Sequence, residues 1–227
     1  MNRDLFPDQR DIYQPEAQQG GYLPGATAIG VVCKDGVVLA AEKRVSYPGS
    51  TLVLSKLGKK VFKITDNIGA ACAGFMADMD SLIRTIEAHS RLYNLESRKP
   101  MSVRAASKLM SNILFGRRFA PLLTETLVAG IDSDGTPNLF VLDPAGSLLD
   151  DKFACAGTGA SIAIGVLESG FRDDLSAEEG KKLVLSAMKS AIARDAASGD
   201  GCDLLVITKD GTEETFMQVS QIEQMFQ

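Results

Sequence analysis

The chain has 227 residues, with hydrophobic residues at 45% and charged residues at 23%. These proportions fit one large globular domain or two small ones and exclude a disordered or fibrous chain. Lys and Arg number 24 against 29 Asp and Glu, giving a net charge of −5, so nothing suggests a nucleic-acid or anionic-lipid partner.

Residues 1–25 hold three of the eight prolines and four glutamines, carry two basic and four acidic residues, and end in Gly20-Gly21-Tyr22-Leu23-Pro24-Gly25. They read as an extension or removable segment, whose loss would take the net charge from −5 to −3. The polar start predicts no secretory signal, and no apolar run reaches the ~18 residues of a membrane helix. The four cysteines (Cys33, Cys72, Cys155, Cys202) contain no CxxC pair. Reduced, mostly buried thiols in a cytoplasmic protein are therefore expected. A single histidine, His89, disfavours a His-based triad and multi-histidine metal sites.

Order is expected to start at Ala26. Residues 26–33 and 37–42 are β-branched runs flanking Lys34-Asp35-Gly36, a hairpin whose Asp-Gly suits a tight turn. Residues 51–55 and 60–65 predict a second hairpin, and 68–73 a buried strand. Two helices follow. Residues 76–95 place Met79, Leu82, Ile83, Ile86 and His89 at helical spacing, and 102–119 do so with Val103, Ala106, Leu109, Met110, Ile113 and Leu114. Strands are then expected at 124–131, 138–142 and 147–155. Residues 158–170 read as a helix, and Ser176 with Glu179 forms a capping box opening a helix to about Arg194. Strands 204–208 and 215–219 close the chain as a hairpin. Hairpin turns dominate, so the sheets are predicted antiparallel and the class α+β, with no linker after residue 25.

The sharpest local feature is the junction Pro24-Gly25-Ala26, where a processed-looking tail meets a strand with no loop between. Cutting after Gly25 would leave a free α-amine on a buried strand, with a reference pKa of about 7.7–8.0. Such an amine can activate a hydroxyl on its own residue, the logic of N-terminal-nucleophile catalysis.

Residues 26–44, ATAIGVVCKDGVVLAAEKR, resemble the opening of mature proteasome β subunits. Further segments match in order: Gly58–Phe62, Ala73-Gly74, Leu127–Asp132, Ala156–Gly159, Gly165–Glu168 and Arg194–Gly199. The resemblance spans residues 26 to about 220 and is closest to the archaeal type. It implies a four-layer αββα sandwich, residues 1–25 as propeptide, 26–227 as a threonine-endopeptidase domain, and cleavage between Gly25 and Ala26. It places the nucleophile at Ala26, an acidic residue near it at Glu42, its lysine at Lys60, supporting groups at Asp195, Ser198 and Thr158, and an oxyanion N–H at Gly74. Val45, Cys72 and Met76 fall at positions lining the substrate pocket, apolar and suited to a large hydrophobic side chain. No metal or organic cofactor is implied. The implied partners are α subunits, other β subunits in heptameric rings, an ATPase unfoldase and unfolded polypeptides.

One departure is serious: alanine has no Oγ, so nothing at position 26 can attack a carbonyl. Thr27 is no substitute, because the spacings to Gly30, Glu42 and Arg44 start at Ala26 and one step along a strand reverses the side chain. Two readings follow: a peptidase subunit inactivated by alanine in place of threonine, or a naturally non-catalytic ring subunit. Retained matches at the other positions favour the first. Taken singly, Lys60 reads as a surface lysine beside Lys59, Glu42 as a solvated strand end, and Asp195 as part of a helix C-cap; the spaced matches together outweigh these.

Overall fold

A computed structural model describes residues 25–47 and 52–226, so the expected propeptide lies almost wholly outside the described residues. Among the described residues, twelve strands and five helices run in the order β1 (Ala28–Cys33), β2 (Gly36–Glu42), β3 (Val45–Ser46), β4 (Val53–Ser55), β5 (Val61–Lys63), β6 (Ile68–Gly74), α1 (Met76–Ser97), α2 (Val103–Gly116), β7 (Thr124–Ile131), β8 (Pro137–Leu142), β9 (Leu148–Asp150), β10 (Phe153–Ala156), α3 (Ala160–Gly170), α4 (Ala177–Arg194), β11 (Cys202–Thr208), β12 (Gly211–Met217) and α5 (Val219–Gln224).

The strands form two five-stranded antiparallel sheets, ordered β10-β1-β2-β11-β12 and β5-β6-β7-β8-β9, beside a small β3-β4 pair. The alternation of side chains along a strand explains how the sheets stack. In β2, Val38 and Ala40 join a core with α3, α4 and α5, while Val37, Leu39 and Ala41 join a second core shared with the other sheet. In β6 and β7, Ala71, Leu127 and Ala129 point into that shared core, and Ala70, Cys72 and Val128 face α1 and α2. Central strands are thus buried on both faces and read as continuous apolar runs. The result is the expected four-layer αββα sandwich.

The sheets approach closely at two glycines. A Cβ on Gly30 would lie 2.9 Å from Leu139 Cδ1, and one on Gly69 would lie 2.3 Å from Leu205 Cδ2. Each leaves room for a leucine from the opposite sheet, in keeping with close-packed interiors.

Several predicted elements shift. Residues 53–55 pair with β3 rather than with 61–63, which pair instead with β6. The predicted strand 147–155 is two strands in different sheets: β9 pairs with β8 and β10 with β1. The crossing falls at Asp151-Lys152, where backbone bonds reach Leu139 and Val32 in opposite sheets. The closing hairpin is β11-β12, 202–208 with 211–217, and a short helix, α5, follows it. In α1 the helical stripe holds for Met79, Leu82, Ile83 and Ile86, but the fifth buried position is Ser90. His89 is exposed and bonds back to the Thr85 carbonyl. The α4 capping box forms as read, with Ser176 and Glu179 satisfying each other's backbone N–H groups.

Candidate active site

Sheet register builds the site. Ala28 pairs with Ala41 and Ala156, and Cys202 pairs with Glu42. That alignment sets the start of β1, the end of β2, the 157–159 turn and the loop after α4 side by side at one end of the sandwich. Ala26 is fully buried there, its methyl in the core between the sheets.

The 157–159 turn grips the backbone of Ala26. Its N–H donates to Thr158 Oγ1 at 3.3 Å, and its carbonyl accepts from Gly159 N at 3.3 Å. Gly157 has φ +89°, and a Cβ there would sit 2.2 Å from the Ala26 carbonyl oxygen; only glycine meets both demands. From the facing sheet, Glu125 Oε2 accepts the Gly157 N–H at 2.7 Å.

Asp195 is the C-cap of α4. Its Oδ2 accepts from Thr158 Oγ1 at 2.6 Å and from Ser198 Oγ at 2.7 Å. Thr27 Oγ1 lies 2.7 Å from Ser198 Oγ. Because Ser198 gives its proton to the carboxylate, Thr27 donates to Ser198. Two hydroxyl relays, Thr27–Ser198 and Ala26 N–H–Thr158, therefore converge on one carboxylate.

Glu42 and Lys60 form a second cluster, with side chains 0% and 2% exposed. Lys60 Nζ donates to Glu42 Oε1 and, at 2.5 Å, to the Arg44 carbonyl. Glu42 Oε2 takes the N–H groups of Arg44 at 2.6 Å and Gly199 at 3.0 Å. Burial pushes the Glu42 carboxyl up and the Lys60 ammonium down, and their mutual attraction opposes both shifts. Neither residue fits its single-residue reading: Glu42 is no solvated strand end and Lys60 no surface lysine.

The loop 195–201 is braced from outside. Arg44 Nε pairs with Asp200 Oδ2 and Arg44 Nη1 bonds the Ala196 carbonyl, both at 2.8 Å. Asp200 holds φ 67°, tolerable for Asp through local hydrogen bonding. Sequence reading missed the braces Asp200 and Glu125 and the role of Thr27. Signals existed for two: the Gly199-Asp200-Gly201 cluster marks a turn, and Thr27 is the one hydroxyl in the apolar run 26–33.

Gly74 ends β6 at φ +148°, with the Leu123 carbonyl oxygen 2.2 Å from where a Cβ would sit. Of the expected pocket residues, Cys72 is fully buried and Met76 packs against the same helix-side core. Val45, half-buried, packs on Gly58. Thr27 is fully buried, crowding Gly159 beside Ala191 under the α3–α4 layer, the opposite face from Ala26. Among the described residues no His, Cys, Asp or Glu group is arranged to hold a metal ion, and no helix is long and apolar enough to cross a membrane.

The arrangement suits one chemistry. An amine freed at residue 26 would sit against Thr158, whose hydroxyl is bonded to Asp195 and could pass its proton on, and a buried ammonium at Lys60 would favour an ionising hydroxyl. The methyl of Ala26 supplies no such hydroxyl.

Comparison with known proteins identifies the family. The family model "Proteasome subunit" matches residues 23–207. "Proteasome subunit beta 2" of Pyrobaculum arsenaticum is 49% identical over 195 residues, covering 86% of this chain and 95% of the relative. "Proteasome subunit beta 1" of Hyperthermus butylicus is 48% identical over 189 residues, covering 83% and 92%. A "Proteasome subunit beta 2" of Thermofilum pendens is 46% identical over 201 residues, covering 88% and 97%.

Proposed function

The chain belongs to the proteasome subunit family, among its β subunits, and on that premise we propose that it is a precursor-form threonine-endopeptidase subunit whose attacking residue is replaced by Ala26. Residues 1–25 are the propeptide and 26–227 the peptidase domain. Glu42 and Lys60 polarise the hydroxyl that a threonine would bring. Thr158, Asp195 and Ser198 manage the proton of its amine. The Gly74 N–H receives the developing oxyanion, a contact worth about 2.7–4 kcal/mol where such donors are removed. Val45, Cys72 and Met76 shape an apolar pocket for the side chain before the cut bond. In the cytoplasm the subunit stands in a heptameric β ring stacked on α subunits and fed unfolded polypeptide by an ATPase unfoldase. As written it cuts nothing and keeps its leader, because trimming needs the same missing oxygen.

One observation carries this reading: around a position with no nucleophile, the Glu42–Lys60 pair and the Asp195 relays are complete. A buried ion pair is costly to keep where it has no task. The test is Ala26→Thr, co-assembled with α subunits and followed by N-terminal mass and hydrolysis of hydrophobic peptides. Loss of residues 1–25 together with peptide cleavage supports the peptidase reading. A restored chain that keeps its leader and cuts nothing makes this a purely structural ring subunit.

A further inference from the structure

The residue before the expected cut is closely confined. There is no room beside Gly25 for a side chain. A Cβ on Gly25 would lie 1.9 Å from Ala197 Cβ and 3.3 Å from Ala197 Cα. No rotamer can relieve that overlap, because a methyl on the backbone has none. The wall itself cannot retreat. Ala197 N donates to Asp195 Oδ1 at 3.0 Å, and Ser198 N to the Asp195 carbonyl at 3.1 Å. The neighbouring Ala196 carbonyl is held by Arg44 at 2.8 Å, and Gly199 N is tied to Glu42. On the next residue, the 157–159 turn fixes both backbone groups of Ala26. Gly25 is therefore wedged between one immobile loop and a strand start that another loop fixes.

We propose that Ala197 is a specificity-determining residue for removal of the leader: its methyl admits only glycine at position 25 and so sets where the Gly25 carbonyl lies relative to the side chain of residue 26. The inference rests on the peptidase reading above. In a chain carrying threonine at 26, the hydroxyl oxygen bonds to the Gly25 carbonyl carbon. The C–N bond to residue 26 breaks as the nitrogen takes up the proton that the hydroxyl gave. The resulting ester is then hydrolysed by water, releasing the leader as a carboxylic acid and regenerating the hydroxyl. The geometry of the first step is set by the fit of Gly25 against Ala197. Displacement of the carbonyl on the order of 1 Å costs about a hundredfold in rate.

The experiment uses full-length chains co-assembled with α subunits, with leader removal timed by intact mass. Ala26→Thr alone should be trimmed. Ala26→Thr with Gly25→Ala should be trimmed about a hundredfold more slowly, and adding Ala197→Gly should restore most of that loss by removing the opposing methyl. Recovery in the triple variant also shows that the slow double variant was folded. If Ala26→Thr keeps its leader, the peptidase reading fails and this inference with it. If Ala26→Thr is trimmed and Gly25→Ala changes nothing, or Ala197→Gly fails to rescue, the inference alone is overturned.

Discussion

The two polar clusters beside Ala26 hold charge in opposite ways. Glu42 and Lys60 compensate each other almost out of reach of solvent, whereas Asp195 is half-buried and satisfied by the neutral hydroxyls of Thr158 and Ser198. The first arrangement fails abruptly, because either partner alone is an uncompensated buried charge. The second fails by degrees, one hydrogen bond at a time, with water near enough to substitute at Asp195. The peptidase chemistry proposed above, which would ionise a hydroxyl and shuttle a proton, would benefit from both: a fixed field on one hand, an adjustable relay on the other.

The sharpest way to break this contrast is Lys60→Met. It should cost the isolated chain about 3–5 kcal/mol in urea unfolding by stranding the Glu42 carboxylate. The double variant Lys60→Met with Glu42→Gln should lose markedly less; equal losses would mean that packing, not charge, dominates. The pH dependence has a definite sign. Burial raises the Glu42 carboxyl in the folded chain, and losing Lys60 removes the cation that opposes this. The single variant's stability should therefore be best at low pH and fall as pH rises above about 4.3, where the unfolded carboxyl ionises and the folded one resists.

Thr27→Val probes the graded cluster. The replacement keeps the shape and deletes the donor to Ser198, so a loss of about 1.5 kcal/mol is expected, with Thr27→Ser recovering part of it. A loss as large as that of Lys60→Met would erase the distinction between the clusters.

The smallest effect lies away from both, at the start of α4, the helix whose C-cap is Asp195. Ser176→Ala should cost about 1 kcal/mol in the same unfolding assay. The Ser176 N–H and hydroxyl hold the Glu179 carboxyl below its ordinary value. That contribution is present at neutral pH and lost as acid protonates Glu179 below about pH 4. The gap between Ser176→Ala and parent should therefore narrow in acid, leaving the part due to Ser176 Oγ accepting the Glu179 N–H; a gap that stays constant would assign the cap to that bond alone.

Much of the fold is legible locally. The hairpin 26–42, the capping box at Ser176 and the stripe Met79-Leu82-Ile83-Ile86 each carry their own signal in turn chemistry or periodicity. The failures share a cause. Residues 147–155 look like one strand because β propensity does not register which sheet a strand joins, and the switch at Asp151-Lys152 depends on β1 and β8 competing for the same chain. Residues 53–55 have too few side chains to specify a partner, so β3 takes them. For the site, the matched spacing found Glu42, Lys60, Thr158, Asp195 and Ser198, and the structure brings them to one end of the sandwich. The Glu125 brace had no local reason to stand out, since the Gly157 N–H it accepts lies 32 residues away; the turn around Asp200 was legible, but its partner, the Arg44 guanidinium, lies 156 residues away.

By itself the sequence determined most of the elements, the antiparallel class, the resemblance to the family and the lack of a hydroxyl at position 26, because each is written in residue identity and spacing. Only the tertiary structure decided that Lys60 and Glu42 are buried together, that Thr27 feeds Ser198, and that Gly25 meets Ala197. Those contacts arise from sheet register and from loops closing over one another, and burial is a property of what surrounds a residue, not of the residue.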